Sequence, residues 1–239
     1  MDRLWLPYCG VAPLPAEWLS HWNFDPFVIA ALLTAGVWAW RAADRRSFAL
    51  LSIACLALLF VSPLCALSSA LFSVRVSHHI ALTALAAPLL AYGIGARLRI
   101  GGGATLWAAI HTIFFWVWHA PTAYEFALSN DGAYWLMQAT LFASAVGFWA
   151  ALRTANSYTV IGLLLFMMVQ MGLLGALITF AGAPLYAPHW LTTQAWGLAP
   201  LEDQQLAGLI MWAPASLFYL GGALWNAWRL LEPSRPAAT

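Results

Sequence analysis

Charged side chains are scarce in this chain of 239 residues, of which Asp, Glu, Lys and Arg make up only 8%. A soluble domain carries about 25% charged residues, so the composition excludes an ordinary soluble protein. Lysine is absent, because all ten basic residues are arginine, and the formal net charge is +1. Nucleic acid is therefore excluded as a partner, since no basic patch could neutralise its phosphates.

Sequence motifs for catalysis are also missing. The chain contains no H-E-x-x-H, no nucleophile elbow and no phosphate loop, and the glycine run at 101–103 follows no strand pattern. No acidic residue lies deep inside an apolar segment, where an intramembrane enzyme would need an acid–base pair. We therefore expect that the protein is not an enzyme.

The few cysteines, Cys9, Cys55 and Cys65, form neither a C-x-x-C pair nor a zinc pattern. Cys55 is expected to be a small buried apolar residue. Cys65 is a less favoured candidate for a thiolate ligand to a soft metal. The N-terminal residues before the first apolar run lack a basic stretch followed by an apolar core, so we expect no cleavable signal peptide. The first apolar helix would then serve as the insertion signal.

Apolar residues are abundant, at 63% of the chain with a mean hydropathy of +0.77. A helix that crosses the bilayer needs roughly 20 mostly apolar residues. The segments that qualify are about Pro26–Ala43, Ser47–Leu67, Val74–Ile94, Ala104–Ala120, Ala133–Leu152, Tyr158–Ala183 and Gln205–Leu231. We predict an all-α fold, a polytopic membrane helix bundle with seven transmembrane helices in one integral membrane domain. It comprises an outer segment (1–25), the bundle (26–231) and a cytoplasmic tail (232–239).

Arginines mark alternate loops of this bundle, and cytoplasmic loops are those that collect arginine. The arginines on this side are Arg41, Arg45, Arg46, Arg97, Arg99, Arg153, Arg229 and Arg235. The other side holds only Arg3 and Arg75, together with most of the acidic residues. This distribution predicts that the N-terminus lies outside and the C-terminus in the cytoplasm.

All six histidines fall outside or in the outer half of the predicted bundle. They are His21, His78, His79, His111, His119 and His189. Polar side chains in a bilayer are costly and usually face the bundle interior. His79 and His119 share one depth on sequential helices, so they are predicted to form half of a metal site, with interhelical hydrogen bonding as the alternative. His78 points about 100° away from His79, so one of the two should pack elsewhere. His111, in mid-membrane, should form a hydrogen bond to a neighbouring helix. His21 and His189, in loops, should be solvated.

Sulfur and carboxylate donors are predicted near the same end of the bundle. Thioethers suit Cu(I), and imidazole suits copper, zinc and iron. Met211 lies about two turns into the last helix, which begins on the outer side near Asp203. Asp203 can cap that helix and still present a carboxylate to an outer vestibule. Met167 and Met171 form a stripe on the sixth helix, for which plain packing is the favoured interpretation.

Specific blocks of sequence carry a family resemblance. They are Ser62–Leu64 with Leu71–Ser73 and the histidines of the third helix, then Trp116–Pro121 with Tyr124, and then Pro200–Trp212. In this order on a seven-helix frame, the blocks resemble the CtaG family of cytochrome c oxidase assembly proteins, the polytopic kind associated with caa-type oxidases. The resemblance covers nearly everything from Phe24 to Trp228. It implies a non-enzymatic assembly factor in the bacterial inner membrane, whose partners are haem–copper oxidase subunits or other assembly factors.

Copper handling at a site facing the periplasm or exterior is the mechanism that this resemblance implies. The implied ligands are His79, His119, Met211 and Asp203, which match positions in the blocks. The family block on the third helix commonly reads F-S-x-H-x-x-x-H, and here Arg75 stands at its first histidine. Arg75 cannot bind a metal because it stays protonated. Either His78 substitutes as a ligand, or Arg75 pairs with an acid such as Asp203, or part of the site is lost.

Rival functions stay open at this point. A copper transporter would need ligands that continue towards the cytoplasm, where only Met167, Met168 and Met171 extend inward. A haem-binding helper would use paired axial histidines, for which His79 with His119 or His111 would serve. A purely structural scaffold without metal is a further alternative if the site is incomplete.

Overall fold

The computed structural model describes residues 7–98 and 100–232, and every regular element within them is helical. The α-helices are α1 (Pro26–Ala42), α2 (Arg46–Phe60), α3 (Leu64–Ala70), α4 (Phe72–Ile80), α5 (Ala87–Ile94), α6 (Ala104–His119), α7 (Pro121–Ser129), α8 (Asp131–Leu152), α9 (Ser157–Thr179), α10 (Pro200–Ile210) and α11 (Ser216–Leu231). The predicted all-α class is confirmed for these residues. Arg3, Arg99 and Arg235, on which the orientation prediction drew, and the tail beyond residue 232 lie outside the described residues.

Within the described residues, four helical stretches are long and apolar enough to cross a membrane, namely Phe72–Arg97, Asp131–Leu152, Ser157–Thr179 and Pro200–Leu231. A fifth results if α2 and α3, which are bent by 47° at their junction, count as one span. α1 has 17 residues and α6 has 16, so both are shorter than the roughly 20 residues of a usual span. The helices fit a multi-pass membrane protein, and seven spans with an outer N-terminus stay a prediction.

Prolines set two of the helix boundaries near the site. Ala120 precedes Pro121 and is extended, with φ −68° and ψ 130°, so α6 ends and α7 begins at this elbow. The span predicted over 47–67 is divided into two helices, because the run is interrupted at Pro63, between the end of α2 and the start of α3. A proline there lacks the N–H that would continue the hydrogen-bond ladder.

The helices α9 and α10 cross at a pair of glycines. A Cβ on Gly175 would lie 2.7 Å from the Gly208 carbonyl oxygen, and one on Gly208 would lie 2.5 Å from the Gly175 carbonyl oxygen. Only glycine allows two backbones to approach this closely, as at many helix crossings in membranes. The crossing brings Met171, one turn before Gly175, next to Met211, one turn after Gly208.

π-helical segments continue α4 into α5 over Ala81–Ala86 and α10 into α11 over Met211–Ala215. Pro88 follows the first segment and Pro214 lies inside the second. Neither proline can donate to the carbonyl four residues earlier, which favours a departure from α-helical geometry. Another helix satisfies a carbonyl of the first segment, since Trp149 Nε1 donates to the Thr83 oxygen at 2.9 Å.

A disulfide joins Cys9 to Cys65 across 56 residues of sequence. The alternative that Cys65 offers a thiolate to a metal is therefore wrong, because its sulfur is bonded to Cys9. Cys55 keeps a free thiol and is half-buried. Close to the disulfide in sequence, the Tyr8 hydroxyl donates to the Asp25 carboxylate at 2.5 Å, and this bond lowers the pKa of Asp25. The segment before α1 is thus tied to α3 by the disulfide, and Tyr8 is tied to Asp25, which caps the start of α1.

We expect that a maleimide modifies only Cys55 in the denatured, unreduced protein, and that reduction makes all three cysteines reactive. Replacing both Cys9 and Cys65 by serine should destabilise the protein by about 2–4 kcal/mol, because the unfolded chain regains the entropy that the cross-link removes. Gel-shift labelling and thermal unfolding in detergent measure the two effects. Cys55→Ser is the control and should unfold like the unmodified chain. Labelling of all three cysteines before reduction would contradict the disulfide.

Candidate metal site

Histidines and methionines from four helical stretches line one small buried cavity. His79 of α4 and His119 at the end of α6 have ring centroids 5.7 Å apart, and each is 4% exposed. Met171 of α9 and Met211 after α10 are part of the same lining, which is otherwise almost entirely apolar. The cavity measures about 10 Å³, close to the smallest space that holds one water molecule or one ion. The structure thus brings together His79, His119 and Met211 as the sequence predicted them.

The position of His119 follows from the end of α6. Its Nδ1 lies 2.7 Å from the carbonyl oxygen of Phe115, one turn earlier on the same helix. A carbonyl only accepts, so Nδ1 carries the proton and Nε2 carries the lone pair. The Tyr186 hydroxyl donates to the His119 carbonyl at 2.8 Å and satisfies the helix end at the elbow. A fixed tautomer with a free Nε2 is the arrangement that metal-binding histidines generally have.

A side chain of α8 contacts the imidazole of His79. Its Nε2 lies 3.3 Å from the side-chain amide nitrogen of Gln138, which is also buried. His79 Nδ1 and Gln138 Oε1 have no hydrogen-bond partner in the described part of the chain. With the amide turned over, Oε1 would accept from Nε2–H and the lone pair would reside on Nδ1. Gln138 is therefore a residue of the site that the sequence argument missed, because nothing in the local pattern of α8 marks it.

Of the methionine stripe on α9, only Met171 lines the cavity. Met167 is also buried, and its Sδ lies 3.9 Å from the Thr112 hydroxyl. Packing was the favoured interpretation for both, so the role of Met171 in the lining went unpredicted. The signal that could have found it is the spacing of Met171 from Gly175, since a glycine crossing brings the adjacent turn against the neighbouring helix.

The donor set fits a soft ion of low charge. Two imidazole nitrogens and two thioether sulfurs, all neutral, are donors that copper accepts, and thioethers favour Cu(I) in particular. Metal–imidazole bonds are about 2.0–2.1 Å long, so two rings with centroids 5.7 Å apart are close enough to share one ion. The unpartnered Nδ1 of His79 is a buried polar atom of the kind that an ion or a water satisfies. Within the described residues no three His, Cys, Asp or Glu side chains form a metal-binding group, so the site depends on its methionines.

His78 lies away from the cavity, as its 100° separation from His79 predicts. Its Nε2 lies 3.2 Å from the carbonyl oxygen of Leu59, and its ring packs edge-on against Phe60 at 5.0 Å. His78 therefore ties α4 to the end of α2. In this conformation it does not substitute for the histidine that the family pattern would place at Arg75.

Asp203 is fully buried, and its carboxylate lies at the start of α4. One oxygen accepts from Phe72 N at 2.6 Å, and the other accepts from Ser73 N at 3.3 Å and from the Ser73 hydroxyl at 2.5 Å. The expectation that Asp203 caps its own helix is wrong, because Asp203 caps α4 and Glu202 accepts from the Ala199 N–H at the start of α10. Asp203 does not line the cavity and supports the site by holding the helix that carries His79.

The charge of Arg75 is not neutralised by Asp203. The two side chains form no ion pair, and the ion pairs found in the described residues involve other groups. Arg75 is fully buried, and its guanidinium lies 5.3 Å from the Tyr134 ring centroid, with Nη1 3.4 Å from the Tyr134 hydroxyl. The hypothesis of an Arg75–Asp203 pair is therefore wrong.

The remaining histidines differ in their surroundings. His111 Nδ1 lies 2.9 Å from the Ser144 hydroxyl, which is the predicted bond between helices. His21 is partly exposed and lies near Glu17. His189 was expected to be solvated, and this was wrong, because it is buried and bonds at 2.7 Å to the Tyr124 hydroxyl. Burial lowers the pKa of His189 to about 3, so its ring is neutral at physiological pH and can accept from Tyr124.

The fold and the site define a class, a multi-pass helical membrane protein with a buried histidine–methionine cluster between its helices. The profile of one family, Cytochrome c oxidase caa3 assembly factor (Caa3_CtaG), matches residues 102–232, which is more than half of the chain. The chain belongs to this family, and the resemblance inferred from its sequence blocks is confirmed. The matched region contains α6 to α11 and so includes His119, Met171 and Met211, whereas His79 precedes it. No curated protein and no solved structure matches the chain.

Proposed function

We propose that this protein assists the assembly of a caa3-type cytochrome c oxidase by holding copper as a cargo ion between His79 and His119 and passing it to the oxidase. Membership of the family supports the assembly role. The observation that carries the copper step is the convergence of two imidazoles and two thioethers on one cavity of about 10 Å³. Delivery of an ion requires binding and release only, so the proposed role is not catalytic.

We also propose that the N-terminus lies outside and that the cavity faces the periplasm or exterior of a bacterial inner membrane. Disulfides persist in oxidising compartments and are rare in the cytoplasm, so the bond between Cys9 and Cys65 favours this orientation. The arginine distribution favours it independently. Cys65 lies in α3, directly before α4. The oxidising compartment would therefore be on the side of the membrane where α4, which carries His79, begins.

The rival functions fit the site less well. A haem with two axial histidines holds its macrocycle between the two rings. The space between His79 and His119 is large enough for one small ion and far too small for a macrocycle. A transporter would need further donors towards the cytoplasm, and the sulfur of Met167, one turn before Met171 on α9, lies against Thr112.

Replacing His79 or His119 by alanine is expected to lower copper bound by the purified protein at least tenfold, because each change removes one of two nitrogen donors. The double variant should bind no copper. The copper content of the protein purified from its own membrane, measured by mass spectrometry, checks the binding step. The copper content of the oxidase from the same cells checks delivery and should fall in parallel.

His111→Ala is the matched control, because His111 is also buried but lies outside the cavity and bonds to Ser144. It should retain the copper of the unmodified protein. Unchanged copper in the double variant would rule out this site, and a Soret band in the purified protein would favour a haem-binding role instead.

A further inference from the structure

Arg75 is a buried charge without a counter-ion. Its side chain is 0% exposed, and no carboxylate of the described residues lies within 4.0 Å of it. Its Nη1 reaches the Tyr134 hydroxyl at 3.4 Å, while Nε and Nη2 have no partner among the described residues. A charged side chain at membrane depth is costly and usually marks a function.

Arg75 lies one helical turn before a residue that lines the cavity. Arg75 precedes His79 by four residues on α4, and Tyr134 precedes Gln138 by four residues on α8. The contacts Arg75–Tyr134 at 3.4 Å and His79–Gln138 at 3.3 Å are therefore successive links between the same two helices. Four residues of helix rise about 6 Å. This rise separates the Cα atoms of Arg75 and His79 along the helix axis, so an ion bound to His79 would lie within one to two helical turns of a fixed positive charge.

We propose that Arg75 is a specificity-determining residue, which makes the His79–His119 site favour monovalent over divalent ions. The inference rests on the proposed function, since it concerns an ion held in that site. The repulsion between two charges is proportional to their product, so Arg75 weakens binding of a divalent ion twice as much, on a logarithmic scale, as binding of a monovalent ion. At separations of about 7–12 Å and an effective dielectric constant of about 20, each unit of ion charge costs of the order of ten- to fiftyfold in affinity.

The ligand set strengthens this discrimination. His79, His119, Met171 and Met211 are neutral donors, so none of them offsets a second positive charge on the ion. The negative charge at α4 is that of Asp203, which belongs to α10. Its oxygens accept from the N–H groups of Phe72 and Ser73, which precede Arg75 on α4, whereas His79 follows Arg75. Along α4, Arg75 is therefore the charged group closer to His79. A site of this kind would favour Cu(I) over Zn(II), which competes for imidazole.

Competition titrations of the purified full chain in detergent test the inference. Cu(I) and Ag(I) serve as soft monovalent ions and Zn(II) as the divalent ion, each titrated against a chromophoric chelator. Arg75→Met removes the charge at similar length and is expected to raise the affinity for both monovalent ions about tenfold and for Zn(II) about a hundredfold. Arg75→Lys keeps the charge and should leave the ratio of Cu(I) to Zn(II) affinity unchanged. Arg75→Gln is a second neutral variant and should behave like Arg75→Met.

Retained binding of Ag(I) shows that a variant is folded and its site intact. Equal changes for Cu(I) and Zn(II), or no change in the neutral variants, would overturn the charge inference while leaving the proposed function in place. The inference would also be overturned if the unmodified chain bound Zn(II) as tightly as Cu(I), whatever the variants do. If the unmodified chain and the neutral variants bind none of the three ions, the proposed function fails and the inference fails with it.

Discussion

Replacing Gly175 by valine is expected to separate α9 from α10 and to destroy the cavity. The first added carbon would already lie 2.7 Å from the Gly208 carbonyl oxygen and 3.1 Å from Trp212 N, so backbone atoms would have to move. Overpacking of this kind costs about 1–3 kcal/mol, and we expect the upper end of that range here because backbone atoms must move. Met171 is one turn from Gly175, and Met211 faces Gly175 across the crossing. Separation of the two helices would therefore move both sulfurs away from His79 and His119.

Gly162→Val is the matched control for this variant. Gly162 lies on the same helix, α9, and a Cβ there would meet nothing within 4 Å. Both substitutions replace glycine by valine within one helix and so change the helix propensity equally. Any difference in stability between the two variants therefore comes from the contact between α9 and α10. Thermal unfolding in detergent should show a large loss for the first variant and little change for the second. Equal stability of the two would mean that α9 and α10 do not cross at these glycines.

Replacing Asp203 by alanine is the second substitution with a large expected effect. It removes the acceptors for two backbone N–H groups and one hydroxyl at the start of α4, all in the interior of the protein. A buried donor left without a partner costs about 1–3 kcal/mol, so the total loss should reach about 3–5 kcal/mol. The first turn of α4 would fray, and copper affinity should fall because His79 lies two turns further on.

Glu202 provides the comparison, since it is the adjacent carboxylate and is exposed. Glu202→Ala removes one hydrogen bond to the Ala199 N–H, and we expect a loss of only about 0.5–2 kcal/mol. Unfolding of the two variants under the same conditions gives the difference directly. If Asp203→Ala were as mild as Glu202→Ala, the contact between α10 and α4 would not be a major source of stability.

Much of the helical architecture could be predicted because local signals determine it. The apolar run at 104–120 predicts α6 to within one residue, since Pro121 ends it and the glycines before it begin it. The apolar segment of the last helix was predicted from Gln205 and its start near Asp203, whereas α10 begins at Pro200. That difference arises because the first turn is polar and is identified by its capping contact rather than by hydropathy. The short helix α7 escaped prediction for a related reason, because its apolar positions are too few to show a period.

Half of the site could also be predicted, because depth in a membrane follows from counting along helices. His79 and His119 were paired by depth, and the structure places their rings 5.7 Å apart. The contacts that support them could not be predicted. Asp203 reaches Phe72 across 131 residues, and Cys9 reaches Cys65 across 56 residues. Such distant pairings depend on how the helices pack, which the hydropathy of a single sequence does not encode.

The two π-helical segments have a consequence for how this chain diverges from its relatives. A π turn contains one more residue than an α turn, so each segment is equivalent to a one-residue insertion in a helix. Everything after Ala86 is turned by about 100° relative to an uninterrupted helix that carries His79. A relative that lost the inserted residue would present another face of α5 to its neighbours, however similar its amino acids. Such a lineage would keep its composition and lose the register between the two halves of the helix, so single-residue deletions here should be rarer than substitutions.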